Sequence, residues 1–316
     1  MERLQTLLDF DPSCLPECYP IPEETLLDQP AGATVALSTW GCAPLTENVL
    51  ERHPDLKLII HGAGSIHKFH TPEVTQRGIV VCSAVHLNAQ PVAEFCLGVI
   101  LASLKDLYGW KEKLKQEGTP DGWRKLVLGF SGGYYKTKIG LIGFGEITKY
   151  LLTLLQKFDF DVYVASQYFS KTDERRFRAR SASLEWIMSN CKVVSLHSAS
   201  TPKTRHMINA DNLKLLQPGA ILINTARGAI ICEEDLAARL NQGDITAYLD
   251  VTDPEPPALD HPFYQLPNCY LTPHVSGSIS NEVTRLGDYV LREVENFLSN
   301  HPQENSLDLA SIALRA

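Results

Sequence analysis

Lys138-Ile139-Gly140-Leu141-Ile142-Gly143-Phe144-Gly145-Glu146-Ile147-Thr148 is the stretch that decides the fold of this chain. An apolar run of strand length meets two glycines. It then passes into Lys149-Tyr150-Leu151-Leu152-Thr153-Leu154-Leu155, where apolar residues recur at helical spacing. This is the opening of a nucleotide-binding βαβ unit. Gly143 permits the tight turn, and Gly145 lets the backbone approach a pyrophosphate lying on the positive end of the helix. Thr148 holds the third position of the G-x-G-x-x-G pattern, where glycine or alanine is usual, and this lowers the motif's specificity. Taken alone, the same residues also suit an ordinary strand, turn and helix.

Outward from this unit, residues 159–166 read as the second strand. In dinucleotide folds an acid near the end of that strand holds a ribose hydroxyl, about 20 residues after the glycines; here the place is taken by Ser166. Further strands are expected at 191–197, 220–225, 246–251 and 269–272, with helices at 210–216 and 233–242 and a last helix at 281–298 before a polar tail. Continuous β-branched strands alternating with amphipathic helices specify a parallel sheet covered on both faces. Upstream, strands at 34–38, 56–60 and 78–82 form a smaller α/β layer, with a helix at 46–52 that Thr46 caps. A long helix is expected from Gln90, with Pro91 in its first turn and Glu94 either favouring its dipole or taking a substrate role. Residues 1–35 read as a loosely patterned lead-in and 104–135 as an excursion. The basic cluster at 175–180 reads as a solvated loop or helix face.

A chain of 316 residues, 44% of them hydrophobic, can bury large cores and divide into two domains. The formal net charge of −8, with no basic block, argues against nucleic-acid binding. The N-terminus lacks the pattern of a secretory signal, and the longest apolar run, 95–104, is too short to cross a bilayer. The eight cysteines, Cys14, Cys18, Cys42, Cys82, Cys96, Cys191, Cys232 and Cys269, form no metal motif. They are expected as small buried residues of a cytoplasmic protein.

Ligands of such sheets bind beyond the carboxyl ends of the strands. Arg227, Glu255 and His274 each follow a strand there. An arginine can hold a carboxylate through two parallel hydrogen bonds. A histidine exchanges protons near neutral pH, and a carboxylate partner orients it. Together the three could bind a 2-oxo acid and supply its proton. Singly, each has a plainer reading as a turn cap, an exposed loop acid or a satisfied strand-end histidine. After the strand at 56–60, Gly62-Ala63-Gly64-Ser65 could turn backbone amides toward a carboxylate, or merely relieve steric strain in a tight turn.

These residues resemble the D-isomer-specific 2-hydroxyacid dehydrogenase family. The matching segments are Gly143-Phe144-Gly145, Ser195-Leu196-His197 with Thr204-Arg205-His206-Met207-Ile208-Asn209, and the run from Leu213 through Asn224-Thr225-Ala226-Arg227-Gly228. Leu249-Asp250-Val251 leading to Glu255-Pro256, and Leu271-Thr272-Pro273-His274, complete them. The likeness extends over about 34–300.

The resemblance implies two Rossmann-like domains of α/β class. A doubly wound parallel-sheet nucleotide domain, 104–284, is inserted into a smaller flavodoxin-like catalytic domain, 1–103 plus 285–316. No appended regulatory domain is expected. An arm at about 104–135 would join a homodimer. The resemblance further implies NAD or NADP as cofactor, held by Gly143, Phe144, Gly145, Glu146, Ile147, Ser166, His197, Thr225, Ala226 and Asp250, with Asp250 at the nicotinamide amide. Arg227, with the backbone of Ala63 and Gly64, would bind the substrate carboxylate, and His274, supported by Glu255, would be the general acid/base. The implied reaction interconverts a small 2-oxo acid and its D-2-hydroxy acid, as in glyoxylate/hydroxypyruvate reductases or phosphoglycerate dehydrogenases.

Three residues depart from the family pattern: Thr148, Ser166 and Ser276. Without an acid at Ser166 a 2′-phosphate is not repelled, though only Lys171 or Arg175 is near enough in sequence to reach one. A dinucleotide-sensing corepressor built on the same fold could keep the same triad. A formate dehydrogenase-like enzyme would pair its histidine with an amide, against which Glu255 speaks. Trp40 would either wall the substrate pocket or be structural.

Overall fold

The computed structural model describes residues 23–28, 31–66, 69 and 71–307, so Cys14, Cys18 and most of the lead-in lie outside the described residues. Two compact units result: described residues up to Ala89 together with those from Ser278 onward, and Gln90–Gly277. The crossovers at 89/90 and 277/278 precede the expected 103/104 and 284/285.

In the larger unit seven strands, all parallel, are β4 (Lys138–Ile142), β5 (Asp161–Ala165), β6 (Arg180–Ser181), β7 (Val193–Leu196), β8 (Ile221–Asn224), β9 (Thr246–Leu249) and β10 (Cys269–Leu271). Their spatial order is β10-β9-β8-β7-β4-β5-β6. The chain therefore builds outward from β4 to β6, returns to the other side of β4, and builds outward again. This reversal between β4 and β7 opens a crevice at their carboxyl ends, where doubly wound sheets bind ligands.

Side chains alternate across these strands. Val194, Leu196 and Leu222 meet Met188, Ile208 and Leu236 on one face. Val193, Ile221 and Ile223 meet Cys96, Ile100, Leu151 and Phe177 on the other. Each fully buried aliphatic side chain contributes about 1.5–3 kcal/mol, so both faces of the sheet are strongly specified. The helices of this unit include α7 (Glu146–Leu155), α8 (Lys171–Phe177), α9 (Leu184–Asn190), α10 (Ala210–Leu213) and α11 (Glu233–Leu240). The basic cluster thus belongs in part to α8, whose last turn carries Arg175 and Arg176. The excursion is two helices, α5 (Trp110–Glu117) and α6 (Pro120–Gly129).

In the smaller unit β1 (Val35–Ser38), β2 (Leu58–His61) and β3 (Val80–Ser83) pair in parallel and in that order. Helices α1 (Glu23–Leu27), α2 (Glu47–Arg52) and α3 (Pro72–Gln76) belong to this unit, as does α12 (Val283–Leu298). Thr46 caps α2 by accepting from Val49 N. The polar tail is not free: Leu307 N donates to Val81 O, and Glu304 N and Asn305 N donate to the fully buried Glu293 carboxylate.

The long helix α4 spans Val85–Ser103, so it begins five residues before Gln90. At its start Ser83 Oγ accepts from Val85 N at 3.2 Å, so a serine rather than a first-turn proline marks the beginning of the helix. Pro91 therefore stands inside the helix and Glu94 is an exposed mid-helix residue, so Glu94 has no dipole role. By length and composition α4 could cross a bilayer, contrary to the expectation from its longest uninterrupted apolar run. Its residues Val92, Ala93, Cys96, Val99 and Ile100 are instead packed into the core of the larger unit.

Candidate active site

Strand register places the expected cofactor residues on one line. Ile142 is level with Ala165 and Leu196, Leu196 with Asn224, Asn224 with Leu249, and Leu249 with Leu271. The next residues, Gly143, Ser166, His197, Thr225, Asp250 and Thr272, are consequently the first beyond the carboxyl edge. Four of their amides continue the ladder: Gly143 N to Ala165 O, His197 N to Ile142 O, Asp250 N to Asn224 O and Thr272 N to Leu249 O.

At the crevice the backbone explains the two glycines. Gly143 has φ +106°, and a Cβ there would lie 2.7 Å from the backbone of His197. Gly145 begins α7 with no side-chain cap, and a Cβ there would meet nothing within 4 Å. The turn thus offers uncapped helix amides beside open space, which suits a pyrophosphate. Thr148 is fully buried, and its hydroxyl donates to Gly143 O at 3.0 Å. Threonine therefore replaces the third glycine without an orphaned hydroxyl, and it braces the turn.

The side chains of the turn point elsewhere. Phe144 packs edge-on against Phe169 at 5.0 Å, and Glu146 pairs with Lys149 at 2.7 Å. Ile147 packs against the core. Their backbone amides remain for a ligand. Ser166 Oγ accepts from Tyr168 N, and Lys171, the nearest cation in sequence, is paired with Glu174.

His197 is buried and neutral. Its Nε2 bonds Ser195 Oγ at 2.9 Å, Nδ1 has no partner among the described residues, and burial pushes its pKa down to about 4. An unpartnered buried nitrogen beside the crevice is a place for a ligand group to bond. The dinucleotide therefore fits the residues present. Beneath it, Cys96 Sγ bonds Thr225 Oγ1 at 3.3 Å, and burial pushes the thiol up to about 11, so this cysteine is unreactive. The six cysteines among the described residues are all free.

Two buried residues shape the loops beyond the rung. Asn224 accepts from Ala226 N and donates to Arg227 O, each at 3.0 Å, folding the Thr225–Gly228 turn. Asp250, 2% exposed, accepts from Thr272 Oγ1 at 2.6 Å, Val275 N at 2.8 Å and Ser276 N at 3.0 Å. It thus fixes the loop that carries His274, a job the sequence did not reveal. Ser276, one of the three departures, is buried and takes part through its backbone amide.

His274 Nδ1 and Glu255 Oε1 are 2.7 Å apart. With Nδ1 donating to the carboxylate, Nε2 is the ring atom left to exchange a proton with another molecule. Arg227 is exposed on the neighbouring loop, its Nη1 donating to Ala226 O at 2.6 Å. That loop presses on the Glu255 loop at Gly228, where a Cβ would stand 2.0 Å from Thr252 C. In the smaller unit, Ser83 Oγ donates to the carbonyls of both Ala63 and Gly64 at 3.1 Å. Because trans peptides oppose C=O and N–H, the amides of Gly64 and Ser65 point away from Ser83. Trp40, just after β1, is 39% exposed.

Strand order, crevice and rung together define a dinucleotide-binding protein of the doubly wound α/β class. Residues 97–276 match the family described as D-isomer specific 2-hydroxyacid dehydrogenase, NAD binding domain. The chain belongs to that family.

D-3-phosphoglycerate dehydrogenase of Methanocaldococcus jannaschii is 28% identical over 92% of this chain and 54% of its own length. The chain thus spans about half of that relative. Hydroxypyruvate reductase of Blautia hydrogenotrophica is 26% identical over 82% of this chain and 81% of its own. The crystal structure of the TT0316 protein of Thermus thermophilus aligns with TM-score 0.72 at 26% identity, covering 91% of this chain and 90% of that one.

Proposed function

We propose that the protein is an NAD(P)-dependent oxidoreductase that interconverts a small 2-oxo acid and its D-2-hydroxy acid. The observation that carries this reading is the His274–Glu255 pair, at 2.7 Å, on loops beyond the same sheet edge as the glycine turn and Arg227. A bound nicotinamide would supply or accept the hydride.

In this reading His274 Nε2 gives its proton to the carbonyl oxygen in reduction and takes it back in oxidation, while Glu255 holds Nδ1–H and fixes the ring. Arg227 is the carboxylate anchor, since a guanidinium matches a carboxylate with two parallel bonds. In the smaller unit, the amides of Gly64 and Ser65, turned from Ser83, are suited to an anion. Gly143, Gly145 and the first amides of α7 take the pyrophosphate, and His197 Nδ1 takes a polar group of the nucleotide. The names of the relatives favour a three-carbon acid such as hydroxypyruvate.

A panel of glyoxylate, hydroxypyruvate, pyruvate and bulkier 2-oxo acids, each with NADH and NADPH, tests the reaction. His274→Ala is expected to lower kcat by a factor on the order of 10²–10⁴ while cofactor affinity stays near wild type. Unchanged turnover would remove His274 from the chemistry.

The α5–α6 segment is proposed as the arm of a homodimer. Trp123, Val127 and Leu128 are all more than half exposed there, an apolar surface that an isolated chain would leave to water. Light scattering on Leu128→Glu, expected to yield monomer, tests it.

A further inference from the structure

We propose that Glu233 and His261 are positioning residues for Glu255: one carboxylate at the start of α11 ties down both ends of the loop that carries it. The proposal rests on the dehydrogenase reading above.

From 253 to 260 this loop is exposed, apart from half-buried Pro257. Packing therefore contributes little to its conformation; Pro254, Pro256 and Pro257 restrict the backbone locally, and polar anchors tie its ends to the rest of the unit. Glu233 supplies two. Its Oε1 accepts from Asp253 N at 2.9 Å, two residues before Glu255, and its Oε2 lies 3.3 Å from His261 Nε2, six residues after.

The roles in the second contact are set by a third atom. His261 Nδ1 accepts from Phe263 N at 3.3 Å, so its proton is on Nε2, facing Glu233. The ring also stands edge-on to the buried Phe263, with centroids 4.5 Å apart. Arg205 Nη1, donating to Asp253 Oδ2 at 3.1 Å, adds an outer anchor.

Glu233 and His261 side chains are only 12% and 18% exposed. Burial raises the Glu233 pKa, so an ionised carboxylate at this position bears a desolvation cost. The dipole of α11 does not by itself call for a buried acid, since exposed Glu234 stands in the same first turn.

The test is a double-mutant cycle on the full chain. Glu233→Ala is expected to lower kcat with the best 2-oxo acid by roughly 10–100-fold, the effect of a displacement near 1 Å, with cofactor affinity unchanged. In a Glu255→Gln background the same substitution is expected to cost less than about twofold, because the loop has no further job. Glu233→Gln keeps a carbonyl for Asp253 N and should fall between wild type and Glu233→Ala. Equal losses in the two backgrounds, or wild-type kcat in Glu233→Ala, would overturn the proposal.

A crystal structure of Glu233→Ala, or of His261→Leu should the first not fold, is expected to show Glu255 and His274 beyond hydrogen-bond distance; an intact pair would refute the idea. That readout needs no substrate. A wild-type protein inactive on every 2-oxo acid would therefore sink the functional reading and leave the anchoring to be judged by the structure alone.

Discussion

Removing the Asp250 carboxylate should loosen the loop that carries His274, and the amount can be worked from its three bonds. Thr272 Oγ1, Val275 N and Ser276 N all end on this one side chain. In Asp250→Ala each donor loses its acceptor, and an orphaned buried donor costs about 1–3 kcal/mol. The costs are unequal. Ser276 is 3% exposed and bears the full penalty, Val275 is half-buried and partly hydrated, and the Thr272 hydroxyl can rotate toward water. The sum is about 3–4 kcal/mol. Asp250→Asn keeps one oxygen for two of the donors but turns an amide NH₂ toward the third, which costs about 1–2 kcal/mol.

Hydrogen exchange reads this locally, which matters because two units need not unfold as one. At about 1.4 kcal/mol per tenfold, the Val275 and Ser276 amides should exchange on the order of 10² faster in Asp250→Ala and about tenfold faster in Asp250→Asn. Turnover should fall in the same order. Protection of both amides at the wild-type level, or an asparagine variant as loose as the alanine variant, would refute the reasoning.

Burial holds the His197 pKa near 4, below the ordinary value of about 6.5, so the unfolded chain binds its proton first as pH falls. Stability is expected to be independent of this group above pH ~6.5 and to decline by on the order of 3 kcal/mol between there and pH ~4; urea titrations of His197→Gln should lack that component. Ser166→Asp restores an acid at the ribose end and should shift the NADH/NADPH ratio of kcat/KM toward NADH by roughly 10–100-fold, whereas an unmoved ratio would place the 2′-position elsewhere. Gly228→Ala forces the Arg227 and Glu255 loops apart, because its Cβ meets Thr252 backbone at 2.0 Å, and activity should fall by about 10². Gly145→Ala, facing open space, should fold normally and weaken NAD(P)H binding in a fluorescence titration.

The fold was legible because the strands of the larger unit are continuous apolar runs and each is followed by residues of marked chemistry. Parallel strands buried on both faces leave no other pattern, so β4, β7 and β8 fall inside the stretches expected for them. The start of α4 was misread because its first turn is capped from Ser83, a residue that also ends β3. The short helices α8 and α9 were missed because Ser170 and Ser183 cap segments whose apolar periodicity is too brief to register. At the candidate site, Arg227, Glu255 and His274 were found as strand-end residues of unusual type. Asn224, Asp250 in its loop-holding role, Glu233 and His261 were not, since an acceptor that bonds the backbone of a distant loop carries no local spacing.

These acceptors also bear on how His274 keeps its position. Its φ is +53°, in the left-handed region that costs a residue with a Cβ about 1 kcal/mol or more. The same backbone turn directs His274 N to the carbonyls of Asp250 and Thr272, and sends the next two amides to the Asp250 carboxylate. These hydrogen bonds, two of them to a charged acceptor, outweigh that strain. The imidazole is therefore displayed half-exposed, at 44%, on a backbone held from beneath, while Glu255 is held from the side by its own loop. An exposed pair proposed for proton transfer is oriented here by order that originates in buried groups. Substitutions at Glu233 should accordingly disturb turnover more than cofactor affinity, since Glu233 does not touch the glycine turn.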